Sequence, residues 1–244
     1  MKIELRGISK HYKRVRALDK VSLDIAPGQI IALLGANGAG KTSLLRCLST
    51  VAGVDKGEIY CDEQLLRRDR LDLRKRLMFL PDFPFLFWDE TVLRNIAIAL
   101  RLYEAEHPGI EERIIDLLRE FDLLALARTS VQTLSRGQAY KAGLTSMLAV
   151  NPEVWLLDEP FASGMDPHGI NLFKQQARAA ANDGRTIIYS TQILDVAERF
   201  SDKICVIHQG EVRAFDRFET LRDRAADKEN VLEELFRQLR QEKS

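Results

Sequence analysis

Long apolar runs are missing from this sequence. No stretch reaches the ~18 consecutive apolar residues of a bilayer-crossing helix, and the best candidate, Val92 to Tyr103, is broken by Arg94, Asn95 and Arg101. A membrane span is therefore not expected. Excess charge is missing as well: 36 Lys+Arg stand against 36 Asp+Glu, and the pI is near 6.9. A polyanion partner calls for clustered basic excess, so no nucleic-acid partner is expected. Cysteine is scarce and odd in number. Cys47, Cys61 and Cys205 lie far apart among apolar neighbours, which fits buried reduced thiols and not a disulfide framework or metal site. The start, Met1 to Arg6, alternates charged with apolar residues and lacks the apolar centre of a signal peptide; cytosol is the expected location.

What is present is the composition of a folded domain, 45% hydrophobic and 30% charged over 244 residues, enough for one large domain with a sizeable core. Lys2 to Ile8 and Val21 to Ile25 alternate apolar with polar residues, and Pro27-Gly28 follows as a turn; an antiparallel ribbon is expected, rejoined by Gly57 to Cys61. Ile30 to Leu34 is continuously apolar, as a strand buried on both faces must be. Phe85 to Val150 shows helical spacing, for example Ile110 to Phe121 and Lys141 to Val150. Glu153 to Leu157, Thr186 to Ser190 and Lys203 to Ile207 are short apolar runs separated by helical segments at Ile170 to Ala181 and Ile193 to Phe200. Strands alternating with helices imply a mainly parallel sheet. The expected organisation is a β core from 1–84 and 151–217, a helical lobe from 85–150, and a C-terminal helical extension from 218–244.

Between the Ile30 strand and a helical run lies Gly35-Ala36-Asn37-Gly38-Ala39-Gly40-Lys41-Thr42, followed by Ser43. This fits G-x-x-x-x-G-K-[ST] in the required strand-loop-helix setting, a strong signal for a phosphate-cradling loop. Glycines let the backbone wrap the phosphates, Lys41 reaches the β and γ groups, and the Thr42 hydroxyl can ligand Mg²⁺. Val154 to Leu157 delivers Asp158 and Glu159 at a strand end, where ligands sit in open α/β sheets. Such a pair alone is usually a solvated strand end. After a matched phosphate loop, Asp158 reads as a Mg²⁺ ligand and Glu159 as the group that orients or deprotonates a water.

Leu134-Ser135-Arg136-Gly137-Gln138 is similar to the LSGGQ signature of ABC-type ATPases, with Arg136 in place of the first glycine. Ser163-Gly164-Met165-Asp166-Pro167 resembles the D-loop of that family, and Tyr12 stands where its adenine-stacking aromatic is expected. The likeness runs over nearly the whole chain in the same order, so the sequence resembles the nucleotide-binding subunit of an ABC transporter. The resemblance implies an α/β P-loop NTPase with a RecA-like, mainly parallel sheet, an N-terminal antiparallel β subdomain and an inserted helical subdomain. It also implies ATP and Mg²⁺, a second nucleotide-binding subunit (a copy or a paralogue), a transmembrane permease, and a peripheral place on the inner face of the membrane. Ser135, Gly137 and Gln138 would then form a second anion site facing the partner's ATP. Read from the residues alone, Leu134 to Gln138 is a helix N-cap with Gln138 in the capping-box position; the two readings are compatible.

Three positions depart from the family pattern. Arg136 brings a cation where glycine is usual; it either clashes with the partner's nucleotide or points outward to meet a phosphate or the permease, and outward is expected because Ser135 and Gly137 are kept. Asp82 takes the place of the Q-loop glutamine, either as a shorter Mg²⁺ ligand or as a solvated turn residue between Pro81 and Pro84. Gln192 replaces the switch histidine and can donate a hydrogen bond but carry no charge; slow hydrolysis is expected. Phe83, Phe85, Leu86, Phe87 and Trp88 crowd one short segment; such density calls for burial, either as ordinary lobe core or, as the resemblance implies, as a groove for a helix of the permease, with Phe85 and Trp88 its expected wall. Val231-Leu232-Glu233-Glu234-Leu235-Phe236 resembles an ending seen in ABC-2-type exporters, which favours export. The alternative is a soluble ABC-type ATPase or a low-turnover ATP switch with a non-permease partner.

Overall fold

Two sheets with different burial account for two different apolar patterns in the sequence. A computed structural model describes residues 1–224. In chain order it contains β1 (Ile3–Tyr12), β2 (Val15–Ile25), β3 (Ile30–Leu34), α1 (Lys41–Leu48), β4 (Lys56–Cys61), β5 (Gln64–Leu65), α2 (Leu71–Arg74) and β6 (Leu77–Leu80). Then come α3 (Val92–Tyr103), α4 (Ile110–Glu120), α5 (Arg136–Val150), β7 (Val154–Leu157), α6 (Pro167–Asn182), β8 (Thr186–Thr191), α7 (Leu194–Phe200), β9 (Lys203–His208), β10 (Glu211–Asp216) and α8 (Phe218–Arg224). The exporter-like segment Val231 to Phe236 lies outside the described residues.

The first sheet has the order β2-β1-β4-β5 and is antiparallel, with Ile3 opposite Ile25 and Leu5 opposite Leu23. One face is buried, so its strands alternate. The second sheet has the order β10-β9-β3-β8-β7-β6; all neighbours are parallel except β10, which turns back on β9. Its central strands are covered on both faces. Ile30, Ala32 and Leu34 enter one core with Trp155 and Leu157, whereas Ile31 and Leu33 enter the other with Val154 and Leu156. The period-2 pleat thus divides a single apolar run between two cores. The second core is closed by the antiparallel sheet and by Leu44, Leu45 and Leu48 of α1; the first is continuous with the helical lobe through α3, α4 and α5.

β6 and β10 are additions to the sequence expectation. β6 is four residues that run straight into the Q-loop position, and β10 is an edge strand of half-buried residues; neither shows a clean period. α5 has no polar face: from Gly137 to Ala149 every residue except Gln138 is buried, as expected for a helix through the interior of a lobe. Close approach makes this possible. A Cβ on Gly143 would lie 2.7 Å from Leu80 Cδ1 and 3.0 Å from Pro84 Cβ, so α5 packs directly on β6 and the loop after it.

Candidate functional site

The phosphate loop is held by backbone from three other elements. Gly40 has φ 113, and a Cβ there would sit 2.5 Å from the Ala17 carbonyl oxygen on β2. A Cβ on Gly35 would meet the Ile207 carbonyl at 2.4 Å, and Gly210 N donates to Ala39 O at 2.8 Å. The tip, Ala36, Asn37 and Gly38, is exposed, whereas Gly35, Ala39, Gly40 and Lys41 are buried. Gly40 caps α1 without a side-chain acceptor, which leaves the first-turn amides, through Ser43, as donors for an anion. Lys41 Nζ donates to Gly35 O at 2.7 Å and Ala36 O at 3.3 Å, and lies 3.3 Å from Glu159 Oε1.

The end of β7 meets this loop from the neighbouring strands. Thr42 Oγ1 donates to the two Asp158 oxygens at 3.0 and 2.9 Å, and Ser190 Oγ at the end of β8 donates to Asp158 Oδ1 at 2.6 Å. The same Ser190 oxygen accepts from Glu159 N at 2.9 Å. Glu159 takes φ 47, a left-handed value uncommon for a residue with a side chain, and this turn separates its carboxylate from that of Asp158. Burial pushes the Glu159 carboxyl above the ordinary range; Lys41 pulls it down, and Asp158 and Asp82 push it further up. Ser190 went unrecognised in the sequence. Its signal was a serine at the buried end of an otherwise apolar strand, where an unpaired hydroxyl is costly.

Asp82 does not join Thr42 and Asp158. Its carboxylate is ion-paired with the Arg136 guanidinium, whose centre also lies 5.0 Å over the Phe83 ring. Arg136, 47% exposed, thus meets a carboxylate of its own chain, a partner the sequence reading did not name. A carboxylate and an aromatic face next to the start of α5 give a planar cation a better setting than water alone. Ser135 caps α5, accepting from Gln138 N at 3.2 Å, while Gln138 Oε1 accepts from Ser135 N at 2.9 Å, so the capping box forms as read. Gly137 is pressed on the D-loop: a Cβ there would lie 2.2 Å from the Gly164 carbonyl oxygen. One turn on, buried Lys141 donates to Asp166, which also caps α6 by accepting from Gly169 N at 2.8 Å. The Lys141 bond and then the Gly169 amide hold the Asp166 carboxyl below its usual range.

Tyr12 is exposed at the end of β1, with the Lys10 ammonium 5.5 Å over its ring, on the hairpin whose second strand touches Gly40. Gln192 is exposed immediately after β8. The aromatic segment differs from its expectation: Phe83, Phe85, Phe87 and Trp88 are 63%, 69%, 55% and 46% exposed. Buried Asn95 explains how such a segment stays ordered. Its side chain accepts from Phe87 N at 2.7 Å and donates to Phe87 O and Thr91 O at 3.1 and 3.0 Å. Phe85 separates two adjoining clefts, one of about 440 Å³ lined also by Val51, Leu71, Phe79 and Leu102; Trp88 lines neither.

Residues 18–162 match the family described as ABC transporter. The ABC-type transporter ATP-binding protein EcsA of Bacillus subtilis is 28% identical over 98% of this chain and 97% of its own length. A Nod factor export ATP-binding protein I of Paraburkholderia xenovorans is 34% identical, covering 85% of this chain and 68% of its own. Iron and sulfate import ATP-binding proteins match at 31% and 34% identity. Among solved structures, the ATP binding subunit of an ABC transporter superposes with a TM-score of 0.89 at 26% identity, over 97% of this chain and all of that one. A cassette in a dimeric post-hydrolysis state bound to ADP and Pi superposes at 0.79, also at 26% identity, over 88% of this chain and 98% of its own. The chain belongs to the ABC transporter family. It is an ATP-binding subunit and an ATPase of that family.

Proposed function

We propose that this chain binds Mg²⁺-ATP on Gly35 to Ser43 and hydrolyses it in a head-to-tail dimer that drives a separate transmembrane permease, in the direction of export. The observation that carries the reading is the convergence of Lys41, Thr42, Asp158, Glu159 and Ser190 at the ends of three adjacent strands. The hydroxyl of Thr42 and the carboxylate of Asp158, already in contact, are the oxygen donors a hard dication prefers. Bound there, Mg²⁺ supplies neutralisation of the β- and γ-phosphate oxygens. Lys41 exchanges its carbonyl and Glu159 contacts for those oxygens, and Glu159, released from Lys41, holds and deprotonates the attacking water. Its raised pKa makes it a better base than an ordinary carboxylate. Gln192 donates a hydrogen bond to the γ-phosphate, and Tyr12 stacks on adenine.

The capped start of α5, with Ser135, Gly137 and Gln138, supplies the anion site that closes on the facing copy's nucleotide. ATP then joins two half-sites, and its hydrolysis separates them. The exposed face around Phe85 supports a permease as partner, because an apolar groove without a visitor is unfavourable in water. No described helix is long and apolar enough to cross a membrane, so a place on the inner face of the membrane would come through that partner. Export is supported by the likeness of the Val231 to Phe236 sequence to an exporter ending and by export proteins among the relatives; the import proteins among them make direction the point to test, by ATP-driven uptake into inverted vesicles carrying the complex. Glu159→Gln should retain Mg²⁺-ATP binding and lower phosphate release by at least about a hundredfold; an unchanged rate overturns the assignment of the base. A second reading, an ATP-binding switch with little turnover, is favoured by the neutral Gln192. Turnover of the permease-bound protein separates the two.

A further inference from the structure

Three carboxylates follow the ends of the adjacent strands β6 and β7 beside the proposed nucleotide site, and only two of them have work there. Asp158 is bonded to Thr42 and Ser190, and Glu159 faces Lys41. Asp82 lies in the loop after β6, two residues beyond Leu80, whose carbonyl accepts from Asp158 N at 2.9 Å. Its charge is felt at Glu159. A free carboxylate in that place would repel a triphosphate.

We propose that Arg136 is a positioning residue for the nucleotide site of its own chain: it neutralises Asp82 and anchors the Q-loop, and so makes an aspartate tolerable beside the phosphates. The geometry is specific. Arg136 is the first residue of α5, its guanidinium meets Asp82 on one side and the Phe83 ring on another, and the close packing of Gly143 on Leu80 and Pro84 fixes how far helix and loop can part. Two of the three departures from the family pattern, far apart in sequence, are thus one device: a cation at the signature answers an anion at the Q-loop. The Arg136 side chain is 47% exposed and that of Asp82 34%, so the pair is a charge balance open to screening, not a buried lock.

The inference rests on the nucleotide reading above, and a double-mutant cycle on the full-length protein tests it with Mg²⁺-ATP as the probe. Arg136→Gln should weaken Mg²⁺-ATP binding about fivefold, and less at high salt. Adding Asp82→Asn to that variant should bring the affinity back to that of Asp82→Asn alone, and Arg136→Lys should lie between wild type and Arg136→Gln. Rescue by the second change is a readout that a merely structural arginine would not give; melting temperatures of the four proteins identify any variant that fails to fold, in which case Arg136→Lys with and without Asp82→Asn carries the test. If Arg136→Gln costs the same in the wild-type background as in the Asp82→Asn background, the arginine acts elsewhere, on the facing copy, and the inference falls alone. A wild-type protein that binds no Mg²⁺-ATP overturns the nucleotide reading as well.

Discussion

The two halves of the candidate site are built from different materials. On the β3 side the candidate ligand groups are the main-chain amides of Gly35 to Ser43, with the Lys41 and Thr42 side chains, on a loop held by the backbone of β2, the end of β9 and the β9–β10 turn. On the lobe side the groups are side chains, Asp82, Arg136 and Ser135, around the start of α5, with Asp82 and Arg136 paired to each other. A backbone cradle depends on conformation and tolerates few residues, so it matches its pattern in full. A side-chain surface can be rewritten if charge is conserved, and Asp82 and Arg136, the two departures that touch, sit on that half.

Substitutions should therefore hurt most where the backbone half is touched. Lys41→Ala removes the only buried cation of the loop and leaves Glu159 without its partner at 3.3 Å. Charge-assisted contacts to phosphate are worth about 1.5–3 kcal/mol each, and Lys41 is assigned one to the β and one to the γ group, so Mg²⁺-ATP affinity should fall at least about a hundredfold, read by equilibrium binding. An affinity within a few fold of wild type would mean that the backbone amides suffice and the comparison has been drawn too sharply. Gly137→Ala comes next. Its Cβ would need the space of the Gly164 carbonyl oxygen at 2.2 Å, and a main-chain atom cannot rotate away. Overpacking of this kind costs about 1–3 kcal/mol, visible as a lower melting temperature together with slower phosphate release, because signature and D-loop are pushed apart.

What the sequence disclosed follows the same division. The phosphate loop, the Asp158-Glu159 pair and the capped signature were legible because each depends on a short contiguous pattern with a fixed local conformation. Strands β3, β7, β8 and β9 were legible because two-sided burial makes them uniformly apolar. β6 was hidden by its four-residue length and β10 by its half-buried edge position. The Arg136–Asp82 pair could not be read, since 54 residues separate its members and only packing of α5 on the Q-loop brings them together. Burial of the aromatic segment was inferred from composition; Asn95, one buried amide with three hydrogen bonds, shows how main-chain satisfaction can order a segment while leaving its rings in water.

At an exposed side chain outside the cradle, effects should be smaller and can go upward. Gln192 can donate to a γ-phosphate but cannot become charged. Gln192→His offers a donor that gains a proton near neutral pH, and turnover of the assembled complex should rise about fivefold to tenfold, the equivalent of about 1–1.4 kcal/mol of transition-state stabilisation. No gain would show that the exposed position after β8 does not reach the nucleotide, and Glu159 would be left as the one catalytic side chain of the reading.

The least disturbing test uses the thiols, which all report on the backbone half. Cys47 on α1, Cys61 on β4 and Cys205 on β9 belong to the core under the phosphate loop. Burial pushes them up, Cys47 to about 11 and Cys61 and Cys205 to about 12. At pH 8 only about one thiol in a thousand or fewer is then thiolate, and each must also be uncovered before a reagent can arrive. Native protein should therefore label with 5,5′-dithiobis(2-nitrobenzoate) only at the rate at which this core opens, while denatured protein exposes all three at once. Mg²⁺-ATP should slow the labelling of Cys47 and Cys205, whose elements flank the loop, because a ligand that binds the closed form lowers the population of the open one. Equal rates with and without nucleotide would separate ligand binding from the rigidity of the cradle, and the contrast between the halves would then lie in sequence tolerance alone.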